Sequence, residues 1–130
     1  MINDKVYGMT PYVAPEILKI GCCRLLAPFS KESDIYSLGV LFWELSSGKP
    51  PFQNHDKEEL TFNIVNGLRE IIIDKTPYGY YALYTACWEG KPEKRPTIEY
   101  VYGKLKSMLP KDNKIVEESE GNFFNLMKFL

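Results

Sequence analysis

Few side chains in this chain stand where chemistry could be done. Glu16 closes the run GMTPYVAPE. Pro15 suits the first position of a helix, where its missing N–H leaves no bond unmade, and Glu16 then sits at the positive end of that helix. Far along the chain, WEGKPEKRPT sets Arg95 just after the turn formers Gly90 and Pro92 and just before Pro96. Its planar fork is the group that meets a buried carboxylate with two parallel hydrogen bonds. Asp34 opens a second acidic helix start, in SDIYSLGVLFWELSSG. His55, the only histidine, follows Pro-Pro-Phe and has no serine or cysteine pattern beside it that would make it a catalytic base. The cysteines are Cys22, Cys23 and Cys87, an adjacent pair and one distant residue, which fits neither a disulfide framework nor a zinc site. Only Arg24 lies near the pair to lower a thiol pKa. A reducing, cytoplasmic setting is expected. These residues offer positioning and no catalytic set.

The elements that hold them read as helices. From Ser33, a good N-cap, the positions Ile35, Leu38, Val40, Leu41, Phe42, Trp43 and Leu45 leave almost no polar face, and Gly48 followed by Pro50 and Pro51 supplies a stop. That is the pattern of a buried central helix. A second helix fits Asp56 to Val65, capped by Asn54 or Asp56 and closed by Gly67, with Leu60, Ile64 and Val65 on one face. A third fits Pro77 to Trp88. Thr97 can cap a fourth, in which Ile98, Val101, Tyr102, Leu105, Met108 and Leu109 recur at three- and four-residue spacing. Ile71 to Ile73 are three β-branched residues, too few to make a sheet. The expected fold class is mainly α.

A body over 1–109 is expected, followed by a mobile C-terminal tail over 110–130, where PKDNKIVEESEG is charged and NFFNLMKFL is apolar. A sharper reading makes the tail a docking peptide through Phe123, Phe124, Leu126, Met127 and Phe129. The 130 residues are 45% hydrophobic, which requires a core. Sixteen basic against seventeen acidic residues leave no global field to recruit nucleic acid or an anionic membrane. The longest apolar stretch, Ile35 to Leu45, is too short to span a bilayer and contains Glu44, and MINDKVYGMT is not a secretory signal. Neither a nucleic-acid nor a membrane partner is expected.

Four motifs come in a telling order: YVAPE, SDIYSLGVLFWEL, GKPPF and CWEGKPEKRPT. Together they resemble the eukaryotic protein kinase catalytic domain, over about residues 5 to 109, and the C-W…R-P-T ending resembles the tyrosine kinases and the tyrosine-kinase-like group. The resemblance implies a partial protein-kinase-like fold, the C-terminal lobe helices without the N-terminal lobe or the catalytic loop. It implies a buried Glu16–Arg95 bridge, whose breakage strands a charge at about 3–5 kcal/mol. Asp34 would hydrogen-bond the backbone of the catalytic loop, Trp88 would be structural, and Gly8, Met9, Thr10, Pro11 and Tyr12 would form the loop that receives the peptide substrate. The family reaction is transfer of the γ-phosphoryl of ATP, with magnesium, to a serine, threonine or tyrosine hydroxyl of a protein.

The chain also departs from the family. Gly8 and Met9 stand where many serine/threonine kinases carry Gly-Thr, so a threonine contact to the catalytic aspartate does not follow. The link between Ile17 and Asp34 is longer than usual. No Gly-rich loop, Val-Ala-Ile-Lys, His-Arg-Asp or Asp-Phe-Gly occurs in these residues. No catalytic residue and no bound cofactor are therefore expected of this chain alone; ATP and magnesium belong to the intact family domain. The alternative is a non-catalytic interaction or regulatory module derived from a kinase, with a protein substrate or another kinase as partner. Without an upstream helix and catalytic loop, one side of Ile35–Leu45 is expected to stay uncovered. Two or three such side chains forfeit roughly 1.5–3 kcal/mol each and favour self-association.

Overall fold

The computed structural model describes residues 9–19 and 29–110. They form α1 (Pro15–Lys19), α2 (Lys31–Ser47), α3 (Lys57–Val65), α4 (Tyr78–Cys87), a 3-10 turn (Pro92–Lys94) and α5 (Ile98–Met108). No strand occurs among the described residues, so the fold is mainly α, and residues 71–73 are irregular. The chain divides into two compact units, Met1–Thr97 and Ile98–Leu130. Among the described residues no helix is long and apolar enough to cross a membrane. The tail segment 111–130, Gly8, Cys22 and Cys23 lie outside the described residues.

Helix α2 begins three residues before the expected start. Ser30, not Ser33, is its N-cap, in extended backbone at φ −118° and ψ 169°. The Ser33 N–H donates to Ser30 Oγ at 3.1 Å, and the Ser30 N–H donates to Ser33 Oγ at 2.9 Å. Serine can thus take both places of a reciprocal capping box, and the polar turn Lys31–Glu32 hid the true start. At the other end Gly48 closes the helix at φ +70°, its N–H reaching the Glu44 carbonyl at 2.9 Å.

Packing around α2 explains its sequence. Ile35, Tyr36, Leu38, Val40, Phe42 and Trp43 are all buried, so the uncovered side expected of this helix is not found; Leu45 is its one exposed large apolar residue. Helices α2 and α4 pack together. A Cβ on Gly39 would lie 2.7 Å from Cys87 Cβ and 2.9 Å from the Tyr84 carbonyl oxygen, an approach that only glycine allows. Two long-range bonds lock the layer: Trp43 Nε1–H donates to the Ile71 carbonyl at 2.8 Å, and the Tyr80 hydroxyl to the Phe42 carbonyl at 2.6 Å.

Helix α3 is capped by Asp56, whose carboxylate accepts the Glu58 N–H at 2.9 Å; Asn54 has no part in it. Its inner residues Leu60 and Ile64 join Phe52 in a small core that Leu18 and Leu68 extend, and α1 packs against α3. Phe52, from the GKPPF run, sits at φ +57° with its N–H bound to the Glu70 carboxylate. That bond and the burial of its ring hold a backbone conformation unfavourable to a bulky residue. In the second unit, α5 starts directly after Thr97, buries Val101, and half-buries Tyr102, Leu105 and Leu109. Ile98 and Met108, expected on that face, are exposed because they fall on its margins at the helix ends.

Candidate functional site

The loop ahead of α1 is built as a tight turn. Residues 9–12 form a 3-10 turn, and the Val13 N–H closes on the Thr10 carbonyl at 3.1 Å. Thr10 and Pro11 are buried while Met9 is 62% exposed, so the loop offers Met9 outward on a fixed base. Tyr12 fixes that base to α2 at two points. Its carbonyl accepts the Ser37 hydroxyl at 2.6 Å, and its own hydroxyl donates to Glu44 Oε1 at 2.8 Å. Ser37 and Glu44 are seven residues apart and so share one face of α2. Burial, then the hydrogen bond to Glu44 and that carboxylate's charge, push the Tyr12 phenol up to about 12. It therefore stays a donor through the whole physiological range.

The next element brings Glu16 and Arg95 together. Nη1 and Nη2 of Arg95 donate to Oε1 and Oε2 of Glu16, each at 2.8 Å, in the forked arrangement. Arg95 also donates from Nη1 to the Glu32 carbonyl at 2.9 Å and from Nε to the Glu89 carbonyl at 2.7 Å. One guanidinium thus joins α1, the first turn of α2 and the end of the α4 segment. The pair is unevenly buried: the Arg95 side chain is 0% exposed and that of Glu16 30%, so full burial holds for the arginine alone. Burial alone would raise the Glu16 pKa, but the Arg95 hydrogen bonds, with backbone bonding and the charges of Arg95 and Arg69, outweigh it and hold the carboxyl below its usual range.

Arg69 was not evident from the sequence. Its Nε donates to the Trp88 carbonyl at 2.8 Å, and its Nη1 to the carbonyls of Leu68 at 2.7 Å and Ile64 at 3.1 Å, so it closes the end of α3 and ties it to α4. Both Arg69 and Arg95 place their guanidinium carbon 5.1 Å from the Tyr36 ring centroid. The only sequence signal was a cation just past Gly67 at a helix end. Trp88 is buried, with its ring 4.9 Å from that of Tyr84.

The other candidates separate from this cluster. Asp34 is exposed in the first turn of α2, with no partner for its carboxylate among the described residues. His55 is exposed, its ring edge-on to Phe52 at 5.3 Å. Burial pushes the Cys87 thiol up to about 12 against the opposing charge of Arg95, so it is not a nucleophile at neutral pH. Among the described residues no group of three or more histidine, cysteine, aspartate or glutamate side chains could hold a metal, and the sequence has no glycine-rich phosphate loop.

A loop pinned to a buried helix and an Ala-Pro-Glu glutamate forked to a distant arginine are what the resemblance to a kinase C-terminal lobe implies. Comparison with known proteins agrees. The family described as protein tyrosine and serine/threonine kinase matches residues 3–105. The chain is 32% identical over 99 residues to mitogen-activated protein kinase kinase kinase 10 of Xenopus laevis, covering 75% of this chain and 9% of that protein. It is 30% identical over 102 residues to a mitogen-activated protein kinase kinase kinase of Drosophila melanogaster, covering 78% and 8%. It is 35% identical over 95 residues to megakaryocyte-associated tyrosine-protein kinase of Rattus norvegicus, covering 72% and 19%. The chain belongs to the protein kinase family, and it spans less than a fifth of the length of these relatives.

Proposed function

We propose that residues 1–109 are the substrate-side half of a protein kinase C-terminal lobe, working in the transfer of the ATP γ-phosphoryl to a protein hydroxyl only together with nucleotide-binding residues that this chain does not itself supply. The observation that carries the reading is the double anchorage of Tyr12 on α2 beside the Glu16–Arg95 fork. Both hold a loop in one conformation with an exposed residue at its tip, which is what receiving a peptide requires. In this reading residues 8–12 face the protein substrate, Glu16, Arg95 and Trp88 hold the frame, and the exposed Asp34 carboxylate is left to hydrogen-bond the backbone of a catalytic loop outside these residues. By itself the chain binds neither ATP nor magnesium. Its setting is the reducing cytoplasm, where Cys87 remains a thiol.

The test is a chimera in which residues 5–109 replace the matching part of an active mitogen-activated protein kinase kinase kinase domain. The reading expects phosphate transfer to a protein substrate. A chimera that folds and binds ATP yet phosphorylates no protein would overturn it. The second reading, a kinase-derived interaction module, draws on the large apolar side chains left exposed, among them Phe29, Phe62, Ile71 and Tyr78.

A further inference from the structure

We propose that two copies of this chain dock through unlike helix faces, the acidic, aromatic face of α3 in one copy against the basic, aromatic face of α5 in the other. Helix α3 turns Leu60 and Ile64 inward and leaves Glu58, Glu59, Phe62 and Asn66 exposed. At 3.6 residues per turn Glu58, Phe62 and Asn66 follow one line with Glu59 beside it. Phe62 is 70% exposed at the centre of that face. Neither the Glu58 nor the Glu59 carboxylate has a partner among the described residues, whereas Asp56 is occupied as the cap. Helix α5 buries Val101 and leaves Tyr100, Lys104 and Met108 exposed on one line at four-residue spacing. The Lys104 ammonium lies 5.5 Å from the Tyr100 ring centroid.

The two faces are complementary in both respects that matter. Each carries a large apolar side chain, and their charges are of opposite sign. Acids in the first turn of α3 have a local reason in the helix dipole. That reason does not extend to an uncovered phenylalanine one turn further along the same line. A lysine stem laid against Phe62, with its ammonium near Glu58 and Glu59, would cover the ring and neutralise the carboxylates together. The chain itself carries this complement, so a second copy is the occupant the surface fits. A patch of one helix on another falls at the low end of interface sizes, below about 1,200 Å², so the association is weak and salt-sensitive.

Sedimentation equilibrium on the full chain tests this directly. At low salt the average mass should rise with concentration above that of the monomer, since unlike faces can also pair head to tail, and high salt should reverse the rise. Glu58→Lys with Glu59→Lys, or Lys104→Glu alone, should each weaken association about tenfold or more, because like charges then face each other. Phe62→Ser, which leaves the helix cap and dipole intact, should weaken it too. An equimolar mixture of the two charge-swapped chains should restore association, since any α3 to α5 contact between unlike chains is again between opposite charges. A wild-type chain that stays monomeric at every concentration overturns the proposal, as does association indifferent to Phe62→Ser or to the swaps. Swapped chains that each stay folded and monomeric when mixed overturn it as well.

Discussion

Replacing Arg95 by alanine removes more than an ion pair. Four hydrogen bonds of 2.7–2.9 Å are lost at once, two to the Glu16 carboxylate and one each to the Glu32 and Glu89 carbonyls. Breaking a buried pair by deleting one partner costs about 3–5 kcal/mol. Because Glu16 keeps 30% exposure and can recruit water, the lower end, about 3 kcal/mol, is expected here. Against a domain stability of about 5–15 kcal/mol this is a large share. With a urea slope of about 2 kcal/mol/M, the midpoint should fall by about 1.5 M. Lys94, one residue earlier, is exposed, and Lys94→Ala should stay within about 0.5 kcal/mol of the wild type. Far-ultraviolet circular dichroism in urea measures both. Equal midpoints for the two variants would refute the bridge as a structural element. Acid adds a check. The folded pKa of Glu16 lies below its unfolded value, so its contribution is present above the unfolded pKa near 4.5 and is lost as pH falls through the folded one. Glu16→Gln should remove that part of the acid sensitivity.

Three further outcomes follow from particular contacts. Gly39→Ala should destabilise by about 1–3 kcal/mol, because its Cβ meets the Cys87 side chain and the Tyr84 backbone, whereas Gly103→Ala, with open space around it in α5, should stabilise by about 0.5–1 kcal/mol; thermal melts of both compare them. Tyr12→Phe removes a donor to an ionised Glu44 and should cost about 1.5–3 kcal/mol, with faster amide hydrogen exchange in residues 9–13 and not in α4; unchanged exchange would mean that the hydroxyl does not hold the loop. In a Cys22→Ser, Cys23→Ser background Cys87 should resist alkylation while folded and react in denaturant, and rapid labelling of the native chain would contradict its burial.

What could be read from the sequence was what local pattern controls. Pro15 and Glu16 announced α1, the Gly48 stop announced the end of α2, and Asp56 announced α3, because caps and breakers act within a few residues. The partnership of Glu16 with Arg95 came through the resemblance, since nothing in either segment alone states that they meet. The start of α2 was misplaced because two serines three apart can each cap, and only the backbone at Ser30 chooses between them. The Tyr12–Glu44 and Tyr12–Ser37 bonds and the role of Arg69 stayed hidden, as they link residues that periodicity places in separate elements. Coverage of Ile35, Leu38, Val40 and Phe42 was likewise misjudged, because a helix that is apolar all round says that it will be buried but not by what.

Under the proposed function these residues hold the substrate side of a kinase lobe and leave nucleotide binding to residues outside them. Isothermal calorimetry of the folded 130-residue chain with ATP and magnesium tests it most directly. No heat of binding beyond dilution is expected; saturable, magnesium-dependent binding of ATP would contradict the proposed function.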